Sequence, residues 1–454
     1  MSLAKRLAEY AVNLEFEQLD DATVHEVKRR LVDALACAMG AWNANAPNVA
    51  RRIATRVTSN PGASFLGGKE KTVPPLAAFT NGILFRYLDY NDTYLSLEPA
   101  HPSDNMAATL AAAEAAGKGG PDFITATVLA YEFQCRMCDA ASIRANGWDH
   151  VTYGAFSTAA GAGKLFGFDT VKMTQALNLA GTPNVTLRQT RAGELSEWKG
   201  CAFANASRNG VFAALLAQEG LSGPSPIFEG EMGFFKQVSG EFELPKLGGI
   251  DNEQFMICGT SIKFWPAEYH SQSAIYAALQ LRKQIEDLSQ VASIDIYSFD
   301  TAVDIIGKDP EKWRPKTRET ADHSLPYCTV VALMDGNVTL DSFSDEKLKD
   351  EKILAMVANT KIHRDHELSQ RYPNGIPNRI VVTLEDGTTF TEENEFPPGH
   401  DQNPMTDEQI TEKFHRLGEG VLDEMQRLQV LDLCWKLEEL DDFGKLMAMF
   451  PAAV

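Results

Sequence analysis

Between Arg86 and Asn105 the chain concentrates side chains that can do chemistry. Arg86, Asp89, Asn91, Asp92, Thr93 and His101 fall within sixteen positions, and Ser103, Asp104 and Asn105 follow at once. An imidazole titrates near neutrality and moves protons in either direction. A carboxylate orients it, and a guanidinium holds an anionic group. The arrangement recurs at His150, which precedes the small-residue run Gly154 to Gly163 much as His101 precedes the Ala-rich run from Met106 to Ala116. Positive charge gathers at Arg188, Arg191, Lys199 and Arg208, beside runs of small residues. Each residue also has a plainer reading. Asp89, Asp92 and Ser103 suit helix caps, His101 suits an ordinary loop, and the cations suit a solvated face.

These residues need elements to hold them. The apolar run from Pro74 to Phe85 predicts a helix, and Ser103-Asp104 before the Ala-rich run, with Gly117 behind it, predicts another. The polar stretch then occupies a helix end and the loop to the next helix start, where free N–H groups favour an anion. Apolar spacing predicts further helices over Leu3–Leu14, Ala22–Met39, Pro47–Val57, Phe123–Ala141, Thr170–Ala180 and from Trp198 to Glu219. Ser64–Thr72 is compatible with a small hairpin. Past Ser261 the texture changes. A helix over Ser271–Lys283 precedes an alternating strand, Ala292–Tyr297, then an apolar helix after Tyr327, then a hairpin over Arg379–Thr391 turning at Asp386-Gly387. From Thr406 the chain is helical again. The expectation is a mainly α protein with residues 1–265 and 405–454 in a helical domain and residues 266–404 forming an α+β insertion.

Bulk properties bound the function. A length of 454 residues implies two or three domains. A net charge of −20 argues against a nucleic-acid partner and means that an anionic substrate needs a local basic cluster. The N-terminus lacks the apolar core of a signal peptide, and no apolar run reaches membrane-spanning length, so the expected location is cytoplasmic, without a membrane partner. The seven cysteines are odd in number and scattered. Cys135 and Cys138 lie inside the expected helix and no further pair follows, so they read as packing residues, with no metal and no cofactor expected.

Several segments together resemble the 2-methylcitrate dehydratase (MmgE/PrpD) family. They are Arg86-Tyr87-Leu88-Asp89-Tyr90-Asn91-Asp92-Thr93, His101-Pro102-Ser103-Asp104-Asn105, Lys199 with its small-residue helix, Lys263-Phe264-Trp265-Pro266-Ala267-Glu268-Tyr269-His270-Ser271-Gln272, and Asp322-His323-Ser324-Leu325-Pro326-Tyr327. The resemblance spans essentially the whole chain. It implies a large all-helical domain built from both chain ends, a smaller α+β lid domain, a homodimer, and an active site between the domains for small polycarboxylates, without an iron–sulfur cluster. In decarboxylase-type members the site is lined by positions matching Asp89, Thr93, His101, His150, Lys199, Lys263 and Tyr327. Where that type carries a histidine after the Lys-x-x-Pro-Ala segment, this chain has Glu268, as the dehydratases do. The resemblance therefore favours a hydro-lyase for 2-methylcitrate or citrate over a decarboxylase.

Dehydrating a β-hydroxy polycarboxylate removes a proton α to a carboxylate, so cations must stabilise the developing enediolate and an acid must protonate the departing hydroxyl. His101 and His150 are the candidates for base and acid, in either order. Lys199, Lys263, Arg86 and Arg191 are candidates to hold carboxylates, with Asp89 orienting a histidine or lysine and Tyr327 donating a hydrogen bond or proton. Asp92, Thr93 and Glu268 are candidate substrate contacts. An epimerase, isomerase or decarboxylase of a related polycarboxylate, or a silent polycarboxylate-binding protein, uses the same residue types.

Overall fold

The computed structural model describes residues 1–453 and is mainly helical. It comprises two compact units, one holding residues up to Arg191, Glu197–Thr260 and the chain from Thr406 onward, the other holding Ala192–Ser196 and Ser261–Met405.

In the first unit the helices are α1 (Leu3–Asn13), α2 (Asp21–Gly40), α3 (Asn45–Ala54), α4 (Pro74–Arg86), α5 (Met106–Ala116), α6 (Gly120–Ala140), α7 (Thr152–Leu165), α8 (Thr170–Gly181) and α9 (Trp198–Gln218). Their starts are encoded locally. Asp20 accepts a hydrogen bond from Thr23 N and Asp169 one from Lys172 N, which satisfies N–H groups that have no partner inside the helix. Helix α3 starts at Asn45, two residues before Pro47, because a first turn tolerates a missing N–H. Small residues let α4, α7 and α9 pack closely. A Cβ added at Gly161 would lie 2.8 Å from Thr109 Cγ2, and one at Gly210 would overlap Thr158. Residues 152–163 of α7 are all buried.

The hairpin expected over Ser64–Thr72 does not form. A single bridge pairs Ala63 with Thr72, while Ser64 N and Leu66 N donate to the side chains of Glu114 and Asn81. With their amides taken by α4 and α5, no strand ladder remains to be built.

The second unit contains α10 (Gln272–Arg282), β1 (Val291–Ser298), α11 (Leu325–Asp335), β2 (Thr360–Arg364), β3 (Asn378–Leu384) and β4 (Thr389–Asn394). The sheet order is β2-β1-β3-β4, with β1 parallel to β2 and the other neighbours antiparallel. Helix α10 packs on β3, β4 and α11. The β3–β4 turn places Gly387 at φ 87, a conformation open to glycine. The chain then re-enters the first unit through α12 (Asp407–Gly418) and α13 (Glu424–Trp435). Helix α12 packs on α2, where Lys413 Nζ meets Asp33 Oδ1 at 2.6 Å in the core.

Candidate active site

In the first unit the site begins where α4 stops. After Arg86 the chain turns through Asp89, whose φ of 52° is left-handed. A non-glycine residue there costs roughly 1–3 kcal/mol and persists only where its surroundings hold it. Its carboxylate supplies the hold: Arg86 Nη1 donates to Oδ1, and Lys199 Nζ from the first turn of α9 lies 3.2 Å from Oδ2. Gly200 permits this approach, since a Cβ there would sit 3.1 Å from Tyr87 Cα. Asp89 is 2% exposed. Behind it, Lys413 donates to the Tyr90 carbonyl at 2.7 Å and Arg416 to the Tyr90 hydroxyl at 2.8 Å, so α12 clamps the next residue.

His101 reaches the same carboxylate, its Nε2 lying 3.8 Å from Asp89 Oδ1. Its other nitrogen, Nδ1, is 2.7 Å from the Asp92 carbonyl oxygen. A carbonyl only accepts, so Nδ1 carries the hydrogen and the lone pair of the neutral ring sits on Nε2. The His101 side chain is 12% exposed, enough to be reached.

The His150 ring lies edge-on to that of His101, with centroids 5.9 Å apart. It forms the entry turn of α7 with Asp149. Asp149 N donates to Thr186 O, Thr186 N to Thr152 Oγ1 and Arg188 N to Gly147 O, which fastens the segment after α8 to this turn. Arg191 Nε thereby reaches Asp149 Oδ2 at 2.8 Å and Arg188 Nη1 reaches it at 3.6 Å. Burial pushes the Asp149 carboxyl up, but Arg191, His150 and Arg188 outweigh it and hold the group below the usual range. His150 is 3% exposed; burial, aided by these arginines and Arg86 against the pull of Asp149, pushes its pKa down to about 3. Its Nδ1 lies 3.3 Å from Asp149 Oδ1, yet neither ring nitrogen makes a hydrogen bond to a described residue. Burial thus favours the neutral imidazole.

Other expected residues serve the loop itself. The Asp92 carboxylate accepts from Ser103 N at 2.9 Å and from Tyr131 Oη at 2.7 Å, which commits both oxygens to holding His101 in place. Thr93 Oγ1 donates to Ala100 O. Ser103 and Asp104 do not cap α5; Asn91 Nδ2 donates to both side chains, within a 3-10 turn that leads into the helix. Ser103 N is taken by Asp92, so the anion-binding amide expected there is already used. Burial pushes the Asp104 carboxyl up to about 7, against the pull of Arg86, whose Nε lies 3.6 Å away. Arg208 stays apart from the cluster, exposed and stacked over Phe79.

The second unit gathers its own charged group. Lys263 is buried. Glu268 accepts from His270 N at 2.8 Å and pairs with His270 Nδ1 at 2.7 Å. Burial raises the Glu268 pKa, but His270, His323 and Lys263 overcome this and bring it to about 2. Glu268 N donates to Asp322 O at 2.7 Å, and Asp322 Oδ1 holds His323 Nδ1 at 2.5 Å. Tyr327 is fully buried and donates its hydroxyl hydrogen to Ser342 O at 2.8 Å, a packing role that leaves no proton to give without breaking that bond.

Sequence reasoning assigned no site role to Asn91, Asp149, His270, Asp322 or His323, and gave Asp104 only a place at a helix start. Local signals existed in the adjacent Asp149-His150 and Asp322-His323 pairs and in the Glu268-x-His270 spacing. Cys135 and Cys138 are buried in α6, with thiols pushed far up by burial. Among the described residues no group of three or more His, Cys, Asp and Glu side chains is arranged to hold a metal ion, and no helix is long and apolar enough to cross a membrane.

Family models match nearly the whole chain: the MmgE/PrpD N-terminal domain over residues 5–246 and the MmgE/PrpD C-terminal domain over residues 265–437. The chain belongs to the MmgE/PrpD family. Its relatives include the mitochondrial 2-methylcitrate dehydratase of Yarrowia lipolytica, 29% identical over 91% of this chain and 84% of the relative. The 2-methylcitrate dehydratase of Escherichia coli K12 is 29% identical over 82% of this chain and 80% of its own length. An alkylcitrate dehydratase of a fungal species is 29% identical over 91% and 87% respectively. Apart from Lys263 and Phe264, the motifs that carried the resemblance lie within the two matched regions.

Proposed function

We propose that this MmgE/PrpD chain is a hydro-lyase that dehydrates 2-methylcitrate, or citrate, to the corresponding cis-aconitate-type alkene without a metal or redox cofactor. The dehydratase names of its relatives support the reaction class. The observation that carries the mechanism is the His101 tautomer, with Nδ1–H on the Asp92 carbonyl and the lone pair on Nε2 beside the Asp89–Lys199 pair. His101 Nε2 is then the base that takes the α-proton. Lys199, Lys263 and Arg191 stabilise the carboxylate as it becomes an enediolate, with Arg86 and Asp89 fixing the cationic side. His150, kept neutral by burial, serves as a hydrogen-bond partner for a substrate oxygen and is unsuited to act as an imidazolium acid. Glu268, ionised and braced by His270, orders the Lys263 side.

The test is direct. Protein treated with a chelator and freed of it, incubated with 2-methylcitrate and then with citrate, should develop the absorbance of a conjugated alkene, with water released in equal amount. Proton exchange in deuterated water without alkene would replace this reading with an epimerase. Activity lost on chelation and restored by iron would overturn the cofactor-independent mechanism.

A further inference from the structure

The turn at Asp89 carries the carboxylate that orients Lys199 and His101, so whatever holds that turn governs how the two are aimed. The residue after it, Tyr90, is buried and is gripped from α12 at three points. Lys413 Nζ donates to the Tyr90 carbonyl at 2.7 Å and lies 3.6 Å from the centre of the Tyr90 ring, while Arg416 Nη2 donates to the Tyr90 hydroxyl at 2.8 Å. Upstream, Asp89 N donates to the Arg86 carbonyl at 3.0 Å. Downstream, Asn91 Nδ2 donates to Ser103 and Asp104. Lys413 is itself paired with Asp33 of α2 at 2.6 Å, and both side chains are almost fully buried. Burying two charges is a poor way to gain stability. The cost of taking them out of water offsets most of their attraction, and an apolar pair of similar volume often serves as well or better. An apolar side chain at position 413, however, has nothing to donate to a carbonyl.

We propose that Lys413 is a positioning residue for the reaction: through the Tyr90 carbonyl it fixes the turn at Asp89, and Asp33 keeps its ammonium aimed there. The inference rests on the hydro-lyase reading above. Asp89 is a non-glycine residue at φ 52°, so releasing the next carbonyl lets the backbone relax. The carboxylate then shifts away from Lys199 and His101. A misplacement of about 1 Å caused by a distant substitution can cost roughly 10²-fold in rate. The base works only in proton removal, so the loss falls on kcat rather than on KM.

The experiment separates what the ion pair does for the fold from what Lys413 does for Tyr90. Wild type, Asp33→Asn and Asp33→Leu/Lys413→Met are compared for melting temperature, alkene formation from 2-methylcitrate and α-deuterium exchange in deuterated water. Asp33→Asn leaves the lysine without its counter-charge but keeps its bond to Tyr90. Its melting temperature should fall, while turnover per folded molecule stays near wild type. Asp33→Leu/Lys413→Met removes both charges. Its melting temperature should lie close to wild type, while kcat and exchange both fall roughly 10²-fold with KM little changed. A double variant that melts and turns over like wild type would overturn the proposal and leave the pair as packing. Turnover in Asp33→Asn as slow as in the double variant would overturn it too, because Lys413 is still present there. Should the double variant not fold, Asp33→Asn/Lys413→Met carries the same comparison. Wild-type protein that dehydrates neither 2-methylcitrate nor citrate would sink the hydro-lyase reading itself, whereas an active wild type with an equally active double variant removes the positioning role alone.

Discussion

Each unit presents a partly exposed histidine on a rigid anchor, and the anchors differ. In the first unit His101 donates Nδ1–H to a backbone carbonyl, which sets the tautomer, and the Asp89 carboxylate lies farther off, 3.8 Å from Nε2. In the second unit His323 Nδ1 is held instead by the buried Asp322 carboxylate. His150 supplies a third case: it touches no hydrogen-bonding partner among the described residues and stays neutral. Three histidines of one chemical type thus acquire three different sets of partners from their surroundings.

The strongest way to break the comparison is His101→Asn. If the carbonyl-anchored ring is the base, both deuterium exchange and alkene formation should fall by roughly 10²–10⁴-fold. The melting temperature should change little, because the Asp92 carboxylate still holds the loop through Ser103 and Tyr131. A variant that exchanges and dehydrates normally would remove His101 from the reaction.

Lys263→Ala probes whether the second unit contributes a cation to the proposed reaction. Loss of one preorganised cation should cost roughly 10²–10³-fold in turnover. Glu268 should lose part of the attraction that keeps it ionised. Turnover close to wild type, with the fold intact by circular dichroism, would make Lys263 a packing residue.

The smallest expected effect sharpens the third case and is read in stability. His150 takes up a proton near pH 6.5 in the unfolded chain and only at about 3 in the folded one. Between those values the unfolded state binds more protons, so stability is lost as pH falls below about 6.5. Glu268 also has a depressed pKa, but its contribution is lost only below its ordinary value of 4.5. Melting temperatures measured from pH 7 to 5 should therefore decline less steeply in His150→Asn than in wild type. Equal slopes would show that the ring is not held neutral by burial.

Much of the architecture was legible because its causes are local. Apolar spacing, Asp and Thr caps, the glycine after α5 and the Asp386-Gly387 turn each act within a few residues, and the helices and the β3–β4 hairpin follow them closely. The failed hairpin at Ser64 shows the limit: its amides went to Glu114 and Asn81, partners no local pattern announces. The candidate site divides the same way. Residue types and motif order pointed to Asp89, His101, His150 and Lys199, and the fold of the first unit brings those four together. It also withdraws the Asp92 carboxylate to hold the loop.

By itself, then, the sequence determined which elements form, which family the chain belongs to and which side chains are available for proton transfer and anion binding. Tertiary structure alone decided what those side chains are. The left-handed turn at Asp89, the hydrogen on His101 Nδ1, the buried ring of His150 and the pairing of Asp149 with Arg191, 42 positions later, all arise from packing between distant segments. The physical reason is that a helix is built from hydrogen bonds between near neighbours. A side chain's protonation depends instead on burial and on charges brought within a few ångströms, and no spacing along the chain records those.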